Sequence, residues 1–302
     1  MIDAVKKYLN HPEWKRQHRW RRAVWQGLSR VGLTGVHALP LNRRWVDIHR
    51  RKMPMTNLDP AMTGFKIVQL SDLHYSPVVW RRYLIQYVLW VNDLKPDLVV
   101  VTGDLITGGY PYAKRIAQIL SHIHAPHGVI CTLGNHDYSI YGKASPAESD
   151  RRGDYLEKCL KERGLVCLRN ESIRIKRPEA STPVTIVGLD DEWSGHIDAD
   201  RGFEGVTDSD ATICLNHNPV NVKELLNHPW QWMLSGHTHG RQVGTSKFAR
   251  RFHPKLFRHY THGYYAVEGR HLYVNRGLSY GQRVLDWCRP EITVFRLEAA
   301  DS

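Results

Sequence analysis

The sequence predicts an α/β fold of mixed sheets covered by helices, and two observations carry that reading. Between residues 65 and 133, apolar β-rich runs alternate with stretches of helical periodicity, as a parallel sheet built from β-α-β units requires. Beyond residue 170 the apolar runs become short and closely spaced between turn residues, which marks a second set of strands. In order, residues 65–70 form the first strand, 80–94 a helix, and 97–102 a strand bounded by Pro96 and Gly103. A helix over 112–122, a strand over 128–133 and a helix over 154–163 follow. Strands at 173–175, 184–189, 211–215 and 232–235 come next, with a helix near 220–227. The tail offers 264–267, 272–275 and 292–297, which read as antiparallel strands. No internal repeat, low-complexity stretch or linker interrupts this order.

Composition excludes several classes. The chain has 302 residues, 42% hydrophobic and 24% charged, which suits one large globular domain rather than a disordered or fibrous chain. Apolar runs such as Leu98-Val99-Val100-Val101 are too short to span a bilayer, and no apolar stretch of signal-peptide type follows the N-terminal basic residues. Cysteines at 131, 159, 167, 214 and 288 are odd in number and lack CxxC spacing, which points to a reducing compartment and a cytoplasmic location. Charge is concentrated: residues 1–60 hold 13 of the 42 Lys and Arg against 4 of the 30 Asp and Glu. That is a net +9 in the first 60 residues and +3 in the remainder, so an anionic partner is expected for the N-terminal segment.

The informative polar residues stand where candidate strands end. Ser71-Asp72-Leu73-His74 follows the first strand, Gly103-Asp104 the second, and Gly134-Asn135-His136-Asp137 the third. Asn216-His217-Asn218 and Gly236-His237-Thr238-His239-Gly240 follow two later ones. Strand carboxyl ends form the ligand-binding edge of an α/β sheet, so five segments deliver Asp, His and Asn to one edge. In extended chain, residues two apart point to the same side, which would pair Asp72 with His74 and His237 with His239. Carboxylate, imidazole and amide oxygen suit manganese, iron or zinc, and the absence of thiolates argues against a structural zinc site. A two-metal site needs a bridging carboxylate, for which Asp104 is the natural candidate.

Taken together, DxH, GD, GNHD, H and GHxH resemble the calcineurin-like metallophosphoesterases over roughly residues 64–297. The resemblance implies a four-layer α-β-β-α sandwich of two mixed sheets and two divalent metal ions, manganese first, with iron or zinc as alternatives. It implies that Asp72, His74 and His239 hold one metal and Asn135, His217 and His237 the other, with Asp104 bridging. His136 would then sit at the substrate phosphate, stabilising charge or protonating the leaving oxygen, with Asp137 orienting it. Residues 70–76, 188–195, 275–277 and 288–291 look like a membrane-associated bacterial branch that includes the UDP-2,3-diacylglucosamine diphosphatases of lipid A synthesis. On that likeness the substrate is a phospholipid or nucleotide-linked lipid, with Trp193 and Arg276 as candidate contacts. The branch usually continues GHxHGGQ; here Gly240-Arg241-Gln242 stands instead, and Arg241 either clamps a second phosphate or points to solvent.

The N-terminal segment supports a lipid context separately. On a wheel of about 100° per residue, Leu9, Trp14, Trp20, Val24, Trp25, Leu28 and Val31 share an arc of about 160°. Lys15, Arg16, Arg19, Arg22 and Arg30 lie largely opposite, and Gln17 and Arg21 interrupt the apolar face. That is the pattern of a helix lying in a membrane interface; the alternative is a surface helix packed on the domain. A second basic and aromatic stretch at 248–260 is either a loop beside the metals or an exposed helix. The division expected is therefore a basic, Trp-rich segment at 1–60 and a metallophosphoesterase domain at 64–298, held peripherally at the inner face of an anionic membrane. Two other readings compete: a nuclease or nucleotide phosphodiesterase, and a non-catalytic metal-binding scaffold. Nucleic acid is not the expected partner, because the tryptophans share a face with aliphatic residues instead of alternating with arginines.

Overall fold

Period-two alternation in strands buried on both faces dictates a layer of side chains on each side of the sheet. A computed structural model describes residues 46–77, 79–139, 145–241, 260–279 and 289–300 and shows this arrangement. Strands β1 (Asp47–Met55), β2 (Lys66–Leu70), β3 (Leu98–Thr102), β4 (Val129–Thr132), β5 (Val166–Cys167) and β12 (Glu291–Ala299) form one sheet. Its order is β1-β12-β2-β3-β4-β5. The second sheet comprises β6 (Glu171–Ile175), β7 (Val184–Gly188), β8 (Ala211–Leu215), β9 (Trp232–Ser235), β10 (Gly263–Val267) and β11 (Arg270–Val274). Its order is β10-β11-β9-β8-β7-β6.

Val68, Leu70, Val99, Val101, Val129 and Cys131 turn outward from the first sheet. They pack under helices α1 (Arg81–Asp93), α2 (Tyr110–Leu120) and α3 (Pro146–Lys161). Alternate residues Ile67, Leu98, Val100 and Ile130 turn inward, against Val184, Ile186, Ile213 and Leu234 of the second sheet. The outer face of that sheet, with Val187, Cys214, Met233 and Leu272, is covered by Phe203, Val222, Leu225 and Trp230. The expected α-β-β-α layering is present, with a thin fourth layer. It consists of the four-residue helix α4 (Ala199–Gly202) and the 3-10 turns Pro219–Asn221 and Glu224–Asn227.

Four details differ from the sequence reading. The helix expected near 220–227 is a pair of 3-10 turns: Asn218 Oδ1 accepts from the Val220 amide to cap the first, and Pro229 follows the second closely. Helix α3 starts at Pro146 instead of 154: Ser145 Oγ accepts from the Glu148 amide and Pro146 occupies the first turn, a capping arrangement that outweighs the polar sequence behind it. Residues 47–55, assigned with the basic N-terminal segment, form β1, which pairs in parallel with β12 from Asp47↔Glu291 to Met55↔Ala299. Only Met53 and Met55 of that edge strand are buried, so its charged, solvated residues hide the strand pattern. In the tail, β10 and β11 are antiparallel and β12 is antiparallel to β2, yet β11 runs parallel to β9 and β12 parallel to β1. The segment 14–31, all of 248–260 except Tyr260, and the Arg241 side chain lie outside the described residues.

Candidate metal centre

Parallel β2, β3 and β4 end on the same side of the molecule as parallel β8 and β9, and every donor emerges just past one of these ends. The chain does not continue extended through them. Asp72, His74, Asp104, His237 and His239 all take left-handed backbone conformations, with φ of 52°, 46°, 53°, 70° and 48°. Asp72 and His74 therefore reach one donor group while His237 and His239 enter separate ones, because the loop turns at each donor, which corrects the extended-chain argument for their spacing. Left-handed non-glycine residues cost about 1–3 kcal/mol each and persist where surrounding contacts over-determine them. Those contacts are present: the Asp72 amide donates to Gly103 O at 3.1 Å, the His74 amide to Asp104 O at 2.9 Å, and the His237 amide to the Asp72 carboxylate at 3.1 Å.

The donors form two groups that share one carboxylate. In the first, His74 Nε2 lies 3.2 Å from His239 Nε2, and His239 Nε2 lies 3.3 Å from Asp72 Oδ1. In the second, His237 Nδ1 lies 2.9 Å from Asn135 Oδ1 and 3.3 Å from His217 Nε2. Asp104 Oδ2 stands between them, 3.4 Å from His74 Nε2 and 3.3 Å from His217 Nε2. Ligand atoms on a first-row ion at about 2.0–2.2 Å stand roughly 3.0–3.5 Å from one another, so these separations fit metal coordination. The surrounding contacts fit as well. His217 Nδ1 donates to Thr102 O at 2.8 Å, which leaves Nε2 as the lone-pair donor, and Thr107 Oγ1 lies 3.3 Å from His74 Nδ1.

Taken by themselves, the buried groups of the centre oppose one another strongly. Burial raises the Asp72 carboxyl well above the ordinary range, and burial together with Asp104 does the same to Asp137. Asp104 is buried too, yet the imidazoles of His217, His136 and His74 hold it well below that range. Burial lowers His217, but attraction to Asp104 prevails and raises it to about 10. Burial and the neighbouring His217 push His237 down to about 3. Such packing of carboxylates and imidazoles away from water is what a bound cation compensates.

The structure brings together Asp72, His74, Asp104, Asn135, His217, His237 and His239, all seven of the sequence-derived ligands. The His136 ring sits 4.8 Å from the His74 ring, edge to face, and its amide donates to Asp104 Oδ1 at 2.9 Å. Asp137, expected to orient His136, is anchored to backbone amides, one of them in its own turn. Its two oxygens accept from the Ile106 and Gly134 amides, each at 2.9 Å, so it holds the turn that carries His136. Trp193 lies against the centre, its ring 4.5 Å from that of His237. Arg276, the other candidate contact, is held by acidic partners. Its guanidinium is buried on Glu291 at 2.6 Å and reaches Asp47 at 3.4 Å, because a carboxylate as enclosed as Glu291 requires a cation.

Sequence reasoning named the 188–195 segment but gave no separate role to the acidic pair behind the Trp193 turn. Asp191 is 1% exposed, and burial raises its carboxyl to about 7; its Oδ2 accepts from the Ser194 amide at 2.7 Å. Asp190 beside it accepts from Tyr138 Oη at 2.6 Å and from Arg169 Nε at 2.7 Å. The signal was available: this acidic pair follows the end of β7, as the ligands follow the ends of β2 and β3.

Two packed mixed sheets with imidazole, carboxylate and amide donors gathered at their carboxyl edges define a metal-dependent hydrolase. The chain belongs to the calcineurin-like phosphoesterase family, whose model matches residues 65–241. It is 33% identical to the uncharacterized metallophosphoesterase YkuE of Bacillus subtilis over 79% of this chain and 80% of that one. It is 27% identical to the UDP-2,3-diacylglucosamine pyrophosphatase LpxG of Chlamydia trachomatis over 87% and 93% of the two chains. Phosphodiesterase YaeI of Escherichia coli is 28% identical over 84% and 88%. The protein is thus a metallophosphoesterase that uses divalent metal ions. Among the described residues, no helix is long and apolar enough to cross a membrane.

Proposed function

We propose that this protein is a dinuclear, manganese-dependent phosphoesterase that hydrolyses a lipid-linked pyrophosphate at the membrane surface. Its substrate on this reading is UDP-2,3-diacylglucosamine, cleaved to the diacylated sugar 1-phosphate and UMP. The observation that carries the substrate class is the near full-length likeness to LpxG, 87% of this chain against 93% of the relative. The basic, Trp-rich N-terminal sequence supports peripheral attachment to the cytoplasmic face of an anionic membrane.

Asp72, His74 and His239 would hold one ion and Asn135, His217 and His237 the other, with the Asp104 carboxylate available to both. Bound ions supply an acidified water as nucleophile and positive charge for the phosphoryl oxygens. His136, anchored through its amide to Asp104, presents its imidazole beside this centre and protonates the departing oxygen. Asp137 keeps the turn in place while the proton moves. Trp193, beside His237, walls one side of the centre and keeps bulk water from it.

The test is mass spectrometry of products after metal-loaded protein meets UDP-2,3-diacylglucosamine or UDP-N-acetylglucosamine. Acyl chains bound away from the reacting phosphorus raise catalytic efficiency, so the diacylated substrate should be cleaved far faster. Equal cleavage of the two would remove the lipid from the proposal and leave a phosphoesterase of soluble substrates.

A further inference from the structure

Beside the metal centre the surface carries an aromatic and cationic rim. Trp80 caps α1 six residues after His74, and Tyr110 opens α2 six residues after Asp104. Because β2 and β3 are adjacent and parallel, both helices begin at the edge where the donors converge. Trp80 is 47% exposed and Tyr110 37%, two of the four exposed large hydrophobic side chains among the described residues. By contrast, Trp230 and Trp232 are each 2% exposed. Arg81 and Arg82 are exposed, and neither is ion-paired with a carboxylate among the described residues; the same holds for Lys114 and Arg115 on α2. Three arginines elsewhere on the same layer are paired: Arg151 and Arg152 with Glu148, and Arg169 with Asp154, Glu157 and Asp190.

We propose that Trp80, Arg81, Arg82 and Tyr110 form the docking surface for an anionic phospholipid bilayer, which turns the metal centre toward the headgroup layer. This rests on the lipid reading of the substrate and names the face that meets the membrane. Indole and phenol rings settle at headgroup depth with their polar atoms wet, while arginines lie along them and reach lipid phosphates. The geometry suits that chemistry: the Arg82 guanidinium lies 4.1 Å from the centre of the Trp80 ring, so charge and ring occupy one patch. It suits single-stranded nucleic acid poorly. A base stacks on an open ring face, whereas Trp80 has Arg82 over it and Tyr83 stacked beside it at 6.2 Å.

The experiment measures partition of the full-length protein onto vesicles of phosphatidylcholine containing a minority of phosphatidylglycerol, without substrate, at moderate salt. Each basic residue near an anionic surface contributes about 1 kcal/mol, roughly 5-fold in partition. The Arg81→Gln/Arg82→Gln variant should therefore partition about 25-fold more weakly, and adding Trp80→Ala should weaken it further. Lys95→Gln/Arg163→Gln removes the same charge just past the far ends of α1 and α3, and should change partition less than about 2-fold. Brominated lipid should quench the wild type more than Trp80→Phe.

Equal losses in the two arginine and lysine pairs would reduce the effect to net charge and overturn the proposal, as would an unweakened rim variant. So would a rim variant that loses polynucleotide retention while keeping its vesicle partition. Vesicle-bound wild type that ignores the rim substitutions overturns this inference alone. Failure to cleave the diacylated nucleotide sugar, measured separately, bears on the substrate.

Discussion

Gly134→Ala tests how closely the protein is built around its shared carboxylate. A Cβ at Gly134 would lie 2.5 Å from Asp104 Oδ1, 2.7 Å from the Asp104 amide nitrogen and 2.8 Å from His217 Cδ2. Gly134 does not take a left-handed conformation, so the added methyl is opposed by its neighbours and not by its own backbone. Relieving the first contact to an ordinary separation of about 3.4 Å requires Asp104 to retreat by about 0.9 Å. Asp104 Oδ2 serves both donor groups, at 3.4 Å from His74 Nε2 and 3.3 Å from His217 Nε2, while metal–ligand distances tolerate only about 0.2 Å. Misplacement by about 1 Å typically costs about 10²-fold in rate, so turnover should fall at least that far, with part of the metal lost. Overpacking should also lower stability by about 1–3 kcal/mol. Metal content by mass spectrometry, turnover of an aryl phosphodiester and urea unfolding read the three effects. Wild-type metal content together with wild-type turnover would refute the claim that Asp104 has no room to move.

Two further outcomes are expected. His136→Ala should cut turnover by about 10²–10⁴-fold with both metals retained, because its backbone amide still anchors Asp104 in the variant; loss of metal would make the imidazole a ligand. For Asp191→Asn, the relevant measurement is thermal unfolding of metal-free protein against pH. Burial raises the folded-state pKa of Asp191 to about 7, so the folded form binds more protons than the unfolded one between about pH 4 and 7. Stability from this group is therefore lost as pH rises through that window, by about 4 kcal/mol once it is passed. Asparagine should raise the melting temperature at pH 8 and leave it nearly unaltered at pH 4. Equal effects at both would show that the carboxyl is not protonated in the folded protein.

Much of the centre was legible in the chain, because each ligand stands immediately after a strong apolar strand and a strand's carboxyl end is a fixed place in a parallel sheet. The layers were legible for a related reason. Alternation such as Ile67-Val68 and Val99-Val100 commits both faces of the central strands to burial, and only helices or another sheet can cover them. What escaped sequence reading was set by contacts distant along the chain. β1 reads as a basic tail because its edge position leaves Arg50, Arg51 and Lys52 in water, and only its pairing with β12, more than 230 residues away, makes it a strand. The pairing of Arg276 with Glu291 and Asp47 joins residues 15 and 229 positions apart, which no local pattern announces.

The sequence alone determined which candidate donor side chains stand at the sheet edge, since residue type and the period of hydrophobicity are local properties. Tertiary structure decided how those side chains converge. Left-handed turns at Asp72, His74, Asp104, His237 and His239 are unfavourable in isolation and exist only because hydrogen bonds from neighbouring loops impose them. It also decided the protonation balance of the centre, because burial and the opposition of Asp104 to His217 depend on two sheets packed face to face. No local pattern encodes a distance between residues 104 and 217; packing of the two sheets does.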